Sequence, residues 1–369
     1  MASGDPLLPV DGPRRSFLAG AGALLAAACL PAVGPATAAA GPRRWIDVHH
    51  HFAPPGYREF HSGLSNPDGT PAVVPPLNWD LARDLEDMDR AGTRTALLSM
   101  FVPPQLGTPD SRARLARSIN EGAARLRADH PGRFGSLASL PLPDIDTSLA
   151  EIAYAADTLK AEGFAVYTNT GDRWLGDRLF DPVYEELDRR KAVVFVHPTT
   201  ANCCHALMPQ VPEPLVEYGT DTTRAIASLV FGGTTTRFPG IRFIFSHGGG
   251  TMPFLIERFL GNDHVEIVPG VRSGGQTGPW AAQPPPGGVL AHLRRMHYDT
   301  AQCANPVAMQ ALKTLVGVPQ VLFGTDVYYR GSLETASALA GCKVFSAREL
   351  EAVARGNALA LWPALAAGA

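Results

Sequence analysis

The sequence predicts a (β/α)8 barrel, and three observations carry that expectation. Short apolar runs alternate with helical patterning along the chain once its first forty residues are passed. Runs such as 192–196 are continuously apolar, as strands buried on both faces of a parallel sheet require. The polar residues that end these runs fall at their C-terminal ends, where a barrel opens the face that carries its active site. A doubly wound open sheet shares the local pattern and is the structural alternative.

The opening strand is Trp45-Ile46-Asp47-Val48-His49-His50-His51-Phe52. Side chains on a strand alternate faces, so Asp47, His49 and His51 are expected on one side, with Val48 and His50 on the other. Two imidazoles one residue apart on a strand can grip one cation; on a helix they would diverge by about 200°. Residues 53–77 read as loop. Asn78 is expected to cap a helix over 79–90, with Leu81, Leu85 and Met88 on one face and Gly92 as its stop. The second strand is 95–100. A helix carrying Leu115, Ile119 and Leu126 leads to a strand at 134–140, a helix over 146–162 to one at 164–168, and a helix near 183–190 to one at 192–197. Beyond a Pro-rich loop, a helix over 222–238 precedes a strand at 241–247. A helix over 253–260 and a Gly/Pro-rich loop reaching Gly288 precede a strand at 296–300. A helix over 306–315 leads to the last strand, 320–326, and helices from Leu333 and Ala347 finish the chain. Eight β/α units over roughly 320 residues suit one closed barrel with inserted loops and no linker.

The net charge of −3 leaves no basic patch for nucleic acid. The first forty residues do not belong to the barrel. Pro13-Arg14-Arg15-Ser16-Phe17-Leu18 precedes an uncharged Ala/Gly/Leu run at 19–30, and small residues end in Ala38-Ala39-Ala40. Basic region, apolar region and small-residue cleavage site make an export signal, and the paired arginines resemble the twin-arginine type. A membrane anchor is the alternative, but the run is shorter than the ~20 residues a spanning helix needs. Cys29 lacks the leucine three residues earlier that a lipid-attachment site uses. Residues 1–40 are therefore expected to direct export to the periplasm or medium, leaving 41–369 as a single catalytic domain with no membrane span. The twin-arginine route carries folded proteins, which suits a chain that takes up metal before export. Cys203, Cys204, Cys303 and Cys342 remain. A bridge between the neighbours Cys203 and Cys204 would close a strained ring, so no disulfide framework is read.

His49 and His51 end the first strand, His197 the fifth, His247 the sixth and Asp326 the eighth. Each alone has a plain structural reading as a strand end, a turn residue before Gly248-Gly249-Gly250, or a helix cap. Together they converge on one face of a barrel. At this point the chain resembles the amidohydrolase superfamily, in its metal-dependent decarboxylase branch of aminocarboxymuconate-semialdehyde, γ-resorcylate and 6-methylsalicylate decarboxylases. The resemblance rests on Asp47-Val48-His49-His50-His51-Phe52, Phe195-Val196-His197-Pro198, and Phe245-Ser246-His247-Gly248-Gly249-Gly250 with Pro253-Phe254 and Arg258. Leu322-Phe323-Gly324-Thr325-Asp326 and Gly356-Asn357-Ala358 complete it.

The resemblance implies one divalent metal, Zn2+ with Mn2+ as the alternative, held by His49, His51, His197 and Asp326. It makes His247 the acid/base, with Asp326 sharing in catalysis. Imidazole and carboxylate ligands suit zinc, and an open position distinguishes a catalytic site; imidazole exchanges protons near neutral pH. A lysine bridging two metals should come from strand four, but Phe164-Ala165-Val166-Tyr167-Thr168-Asn169 has none, so one metal is expected. Arg258 matches a family arginine that reaches a neighbouring subunit's site and binds substrate carboxylate, which implies a homodimer; a surface helix residue is the alternative. The family often has Asp-Tyr-Pro where this chain has Asp326-Val327-Tyr328-Tyr329, and the loop 201–214 with Cys203-Cys204-His205 is also unlike it. Both border the pocket, so substrate identity stays open. Cys203, Cys204 and His205 read as plain loop rather than a second metal site. The function expected is non-oxidative decarboxylation of a small aromatic or unsaturated carboxylic acid, 6-methylsalicylate-like. Hydrolysis of a lactone or amide by the same ligands is the alternative, and an inactive metal-binding protein is disfavoured because no ligand is missing.

Overall fold

The computed structural model describes residues 45–368 apart from 55–56, 58–78, 106, 279–280 and 328. The described residues belong to the compact unit Ala40–Ala369. The signal reading of residues 1–40 with Cys29, the cap at Asn78, most of the first loop, and Tyr328 lie outside them.

Eight strands pair in parallel: β1 (Trp45–His51), β2 (Thr93–Ser99), β3 (Phe134–Ser139), β4 (Gly163–Tyr167), β5 (Val193–His197), β6 (Arg242–Phe245), β9 (His297–Asp299) and β10 (Val321–Leu322), in the order β1-β2-β3-β4-β5-β6-β9-β10. A separate antiparallel hairpin, β7 (His264–Val268) and β8 (Val271–Gly274), lies between β6 and β9. The sheet closes on itself. Val48 N–H donates to Phe323 O at 2.9 Å, Asp326 N–H donates to His49 O at 2.9 Å, and His50 bridges Val327 in parallel. Helices α1 (Leu81–Ala91), α2 (Pro109–Asp129), α3 (Ile145–Asp157), α4 (Asp181–Arg189) and α5 (Glu213–Phe231) follow β1 to β5 in turn. The short α6 (Thr234–Arg237), α7 (Ile256–Leu260) and α8 (Val289–Leu293) come next, then α9 (Pro306–Val316), α10 (Ser332–Gly341), α11 (Ala347–Glu351) and α12 (Asn357–Leu361). No helix among the described residues is long and apolar enough to cross a membrane.

The packing explains the apolar runs. Along β5, Val193 and Phe195 join Ile46, Leu97, Leu137 and Ile244 in a cluster inside the cylinder, while Val194 and Val196 pack outward with Ala225, Ile226 and Leu229 of α5. Both faces are dry, so no polar alternation survives in the sequence. His197, in step with Val193 and Phe195, therefore points inward at the C-terminal rim. Trp362 and Ala358 join the inner cluster, and Trp362 Nε1 donates to the carbonyl of Glu162, just ahead of β4, at 2.7 Å. The chain's end thus closes the cylinder at the pole opposite the histidines. Trp362→Ala is expected to destabilise the fold by about 3–5 kcal/mol, read by denaturant unfolding; a change under about 1 kcal/mol would show that this indole does not seal the barrel.

Several element bounds differ from expectation. α1 starts at Leu81, with Asp80 accepting the Arg83 N–H at 2.9 Å as the cap; Gly92, at φ 74°, ends it as expected. The helix expected over 222–238 is α5, which begins nine residues earlier at Glu213 and breaks before α6. Pro214 lies in its first turn, where a missing N–H is harmless. The loop expected up to Gly288 contains the β7–β8 hairpin. Val265 and Ile267 alternate along β7 and pack half-buried on the core, but the strands are only five and four residues long and lie in a stretch rich in glycine and proline. The last strand is two residues of ladder followed by an irregular stretch to Asp326. In β1 a register irregularity falls between Asp47 and His50, and the Asp47 carboxylate pairs with His50 rather than joining His49 and His51.

His297, at the start of β9, sets a pH response. Burial, and then the Arg242 guanidinium, hold its imidazole down at about 4. The unfolded chain binds a proton there from about pH 6.5 downward and the folded chain does not, so stability falls as pH drops from about 6.5 towards 4. His297→Gln is expected to remove up to about 3 kcal/mol of that acid-side loss while leaving neutral-pH stability less affected. Unfolding midpoints at pH 7 and pH 4.5 check this, and an unchanged acid dependence would count against it.

Candidate active site

The four expected ligands meet. One nitrogen each from His49, His51 and His197 and one oxygen of Asp326 lie within 4.8 Å of one another, all from buried residues. Each imidazole is oriented from behind. His49 Nδ1 lies 2.7 Å from Asp299 Oδ2, His51 Nδ1 lies 3.2 Å from the Ser99 carbonyl, and His197 Nδ1 lies 2.8 Å from the Pro198 carbonyl. Acceptors at every Nδ1 put the proton there and leave the Nε2 lone pairs converging. The Nε2 atoms of His49 and His51 are 3.2 Å apart, and Asp326 Oδ1 lies 3.2 and 3.0 Å from them. Those spacings are close to the ~3.3 Å edge of a tetrahedron with ~2.0–2.1 Å ligand bonds. His197 Nε2 and Asp326 Oδ1 are buried without a hydrogen-bond partner, which is costly unless something else satisfies them. The set therefore fits a divalent cation. Its charges agree. Burial works against a charged His49, yet Asp299 and Asp326 outweigh it and hold the imidazole up at about 10. A cation would replace that proton. Burial, with His51 and His49 beside it, pushes His197 well below its usual range. Burial opposes charge on Asp326, but His49 and His247 more than offset it and hold the carboxyl far below the carboxylate range.

His247 stands beside this set. Its Nε2 lies 3.1 Å from Asp326 Oδ2, and its side chain is 14% exposed where Asp326 is 2%, so it faces the open side. Two neighbours escaped the sequence reading. Asp299, ending β9, orients His49 and also accepts the N–H of His247 at 2.8 Å and of Ala301 at 3.0 Å. A carboxylate at the end of the seventh barrel strand was a signal that could have found it. Gln302 donates its side-chain amide to Asp326 Oδ2, and no spacing announces it. His247, Gln302 and Asp326 all have left-handed backbones, with φ of 54°, 52° and 64°. Non-glycine residues resist this conformation, and strain of this kind gathers where a site is held in place by its surroundings.

Asp47 and His50 form the frame. Thr325 donates to Asp47 from its hydroxyl at 2.6 Å and its N–H at 3.1 Å, locking the residue before Asp326 to β1. His50 lies between Asp47 Oδ2 at 2.9 Å and Asp84 at 3.0 Å, and Trp79 Nε1 donates to Asp84. Burial opposes charge on His50, but Asp84 and Asp47 prevail and hold it up at about 10. Arg258 is not brought to the cluster. It is exposed on α7 and pairs with no described residue. The walls are aromatic. Phe101 stacks on Tyr167 at 4.8 Å and lies 5.0 Å from His197, whose ring is 6.0 Å from Tyr218. Tyr329, 62% exposed, stands 6.4 Å from His51.

A closed parallel barrel bearing a buried three-histidine, one-aspartate cluster that could hold a cation, with a fourth histidine at its open side, defines a (β/α)8-barrel enzyme. The amidohydrolase family profile matches residues 46–364. Decarboxylase yanB of Aspergillus niger is 36% identical over 86% of this chain and 87% of its own length. The 6-methylsalicylic acid decarboxylase of Penicillium expansum is 36% identical over 76% of this chain and 84% of its own. The crystal structure of a dihydroxybenzoic acid decarboxylase from Polaromonas, with bound manganese and the inhibitor 2-nitroresorcinol, superposes with a TM-score of 0.72. It is 18% identical and covers 87% of this chain and 97% of its own. This chain belongs to the amidohydrolase family and is an enzyme of its decarboxylase branch.

Proposed function

We propose that the chain is a metal-dependent, non-oxidative decarboxylase of a small 2-hydroxy aromatic acid of the 6-methylsalicylate kind. The observation that carries this is the convergence of three Nε2 lone pairs and Asp326 Oδ1 beside His247. The aromatic walls support a ring-shaped substrate, and the similarity to a 6-methylsalicylic acid decarboxylase supports the substrate class. His49, His51, His197 and Asp326 would hold the cation. Zinc suits those donors, and manganese, which the Polaromonas relative holds, is the alternative. When bound, the cation supplies electrostatic stabilisation for negative charge gathering on the substrate's oxygens.

The chain's own residues do the rest. Phe101, Tyr167 and Tyr218 flank the ring and keep water from it. His247 Nε2 holds the proton that passes to the ring carbon bearing the carboxylate, with Asp326 Oδ2 fixing its direction. The carbon–carbon bond then breaks, CO2 departs, and its electron pair restores the aromatic ring. Arg258, exposed and unpaired among the described residues, is free to meet a substrate carboxylate in a second copy, so a homodimer belongs to this reading. Export directed by residues 1–40 belongs to it as well.

The test is metal-loaded protein offered 2-hydroxybenzoates and small lactones. CO2 release that a chelator abolishes supports the proposal; lactone opening without CO2 points to hydrolysis instead. His247→Asn is expected to lose about 10²–10⁴ in turnover while keeping its full metal content. Undiminished turnover would remove His247 from the proton's path.

A further inference from the structure

The loop between β5 and α5 holds a side-chain pair that decarboxylation does not use. Cys203 and Cys204 lie in a single 3-10 turn, Asn202–Cys204. Successive side chains on an extended chain point apart, but this turn brings the two sulfurs to 2.6 Å. Cys203 is exposed and Cys204 is buried. The turn is pinned on both flanks. Cys203 N–H donates to Asp172 Oδ1 at 3.0 Å, and Asn202 N–H donates to Gly171 O at 3.2 Å. Downstream, Glu213 at the start of α5 accepts the Ala206 N–H at 2.9 Å and pairs with His205 Nδ1 at 3.1 Å. His205 is thereby engaged with Glu213 and turned to a use other than completing a metal site with the two thiols.

We propose that Cys203 and Cys204 are a redox modification site that forms a reversible vicinal disulfide, with a small-molecule or protein disulfide as the oxidant. The exposed Cys203 thiolate attacks one sulfur of the external disulfide, whose S–S bond breaks, and the departing half takes up a proton as a thiol. Cys204, having lost its own proton, then attacks the Cys203 sulfur of the mixed disulfide and expels the second half as another thiol. Two thiols of the chain are oxidised by two electrons, and one external disulfide is reduced to two thiols. A bridge between neighbours encloses almost no chain, so it adds little stability through loop closure. Adjacent Cα atoms are ~3.8 Å apart, shorter than the ~4.4–6.8 Å that bridges usually span, so the ring is strained and easily reduced. Such a pair acts as a switch on the segment that joins His197 to α5, and not as a staple.

The test uses the full chain, reduced, desalted and then exposed to oxidised glutathione, followed by intact mass and alkylation mapping. The expected result is a mass lower by two hydrogens, with Cys203 and Cys204 both protected and both recovered in excess reduced glutathione, while Cys303 and Cys342 keep their reactivity. Cys204→Ser is expected to stop at the mixed disulfide, one glutathione heavier at Cys203. Cys203→Ser is expected to take up no glutathione, because Cys204 is buried. Wild-type protein that keeps both thiols, or that stably carries glutathione on Cys203, would overturn the proposal. The wild-type measurement decides the matter even where a variant fails to fold.

Discussion

Asp326→Ala is expected to lower turnover by about 10³-fold or more and to leave the purified protein nearly free of metal. Asp326 is the one carboxylate in the cluster, and its two oxygens divide the work. Oδ1 lies with the Nε2 atoms of His49 and His51. Oδ2 meets His247 and Gln302. Removing it leaves three imidazoles facing one another with no carboxylate among the ligands to draw a cation in, and leaves His247 undirected. Elemental analysis and CO2 release, measured with and without added metal, report the two losses separately. A variant that keeps both metal and turnover would show that the strand-eight carboxylate is not part of the centre.

The second large effect is expected from a residue outside the ligand set. Asp299→Asn should weaken metal binding by about 10–100-fold and depress turnover even at saturating metal. The Asp299 carboxylate accepts on both sides, from His49 Nδ1 at 2.7 Å and from the His247 N–H at 2.8 Å. An asparagine has one acceptor and one donor to place there. If its oxygen keeps the His247 N–H, its NH2 faces His49 Nδ1, which must then accept. The imidazole proton moves to Nε2, the atom a cation needs, so the wrong tautomer is enforced without displacing any ligand. Competition against a coloured chelator measures the affinity, and an affinity equal to wild type would mean that His49 does not rely on Asp299.

The strand cores and the ligands were legible for the same reason. A parallel barrel buries its strands on both faces, so they read as apolar runs, and a polar residue at such a run's C-terminal end has only the rim to occupy. His49, His51, His197, His247 and Asp326 stand out by their joint placement at such ends together with the motifs that resemble the family, whereas Asp299 at the end of β9 has the same placement and escaped notice. The start of α5 was hidden because Pro212 and Pro214 look like loop, although proline is at home in a helix's first turn. The β7–β8 hairpin carried a readable alternation at Val265 and Ile267 but was passed over because its short strands lie among glycines and prolines that read as loop.

By itself, then, the order of residues determined the alternation of buried strands and helices, with a barrel favoured over an open sheet, because burial and strand ends leave local marks. The resemblance of its motifs to a known family marked the five groups at the rim. Only the tertiary structure decided how those groups are aimed. The Asp299 hold on His49, the Gln302 contact with Asp326, the pairing of Asp47 with His50, and the left-handed turns at His247, Gln302 and Asp326 depend chiefly on partners from other strands or on backbone strain held by surrounding packing. A hydrogen bond across a barrel is set by where two distant segments come to rest, and no local pattern records it. The same packing left Arg258 outside the cluster and drew two adjacent sulfurs together on the loop beyond His197.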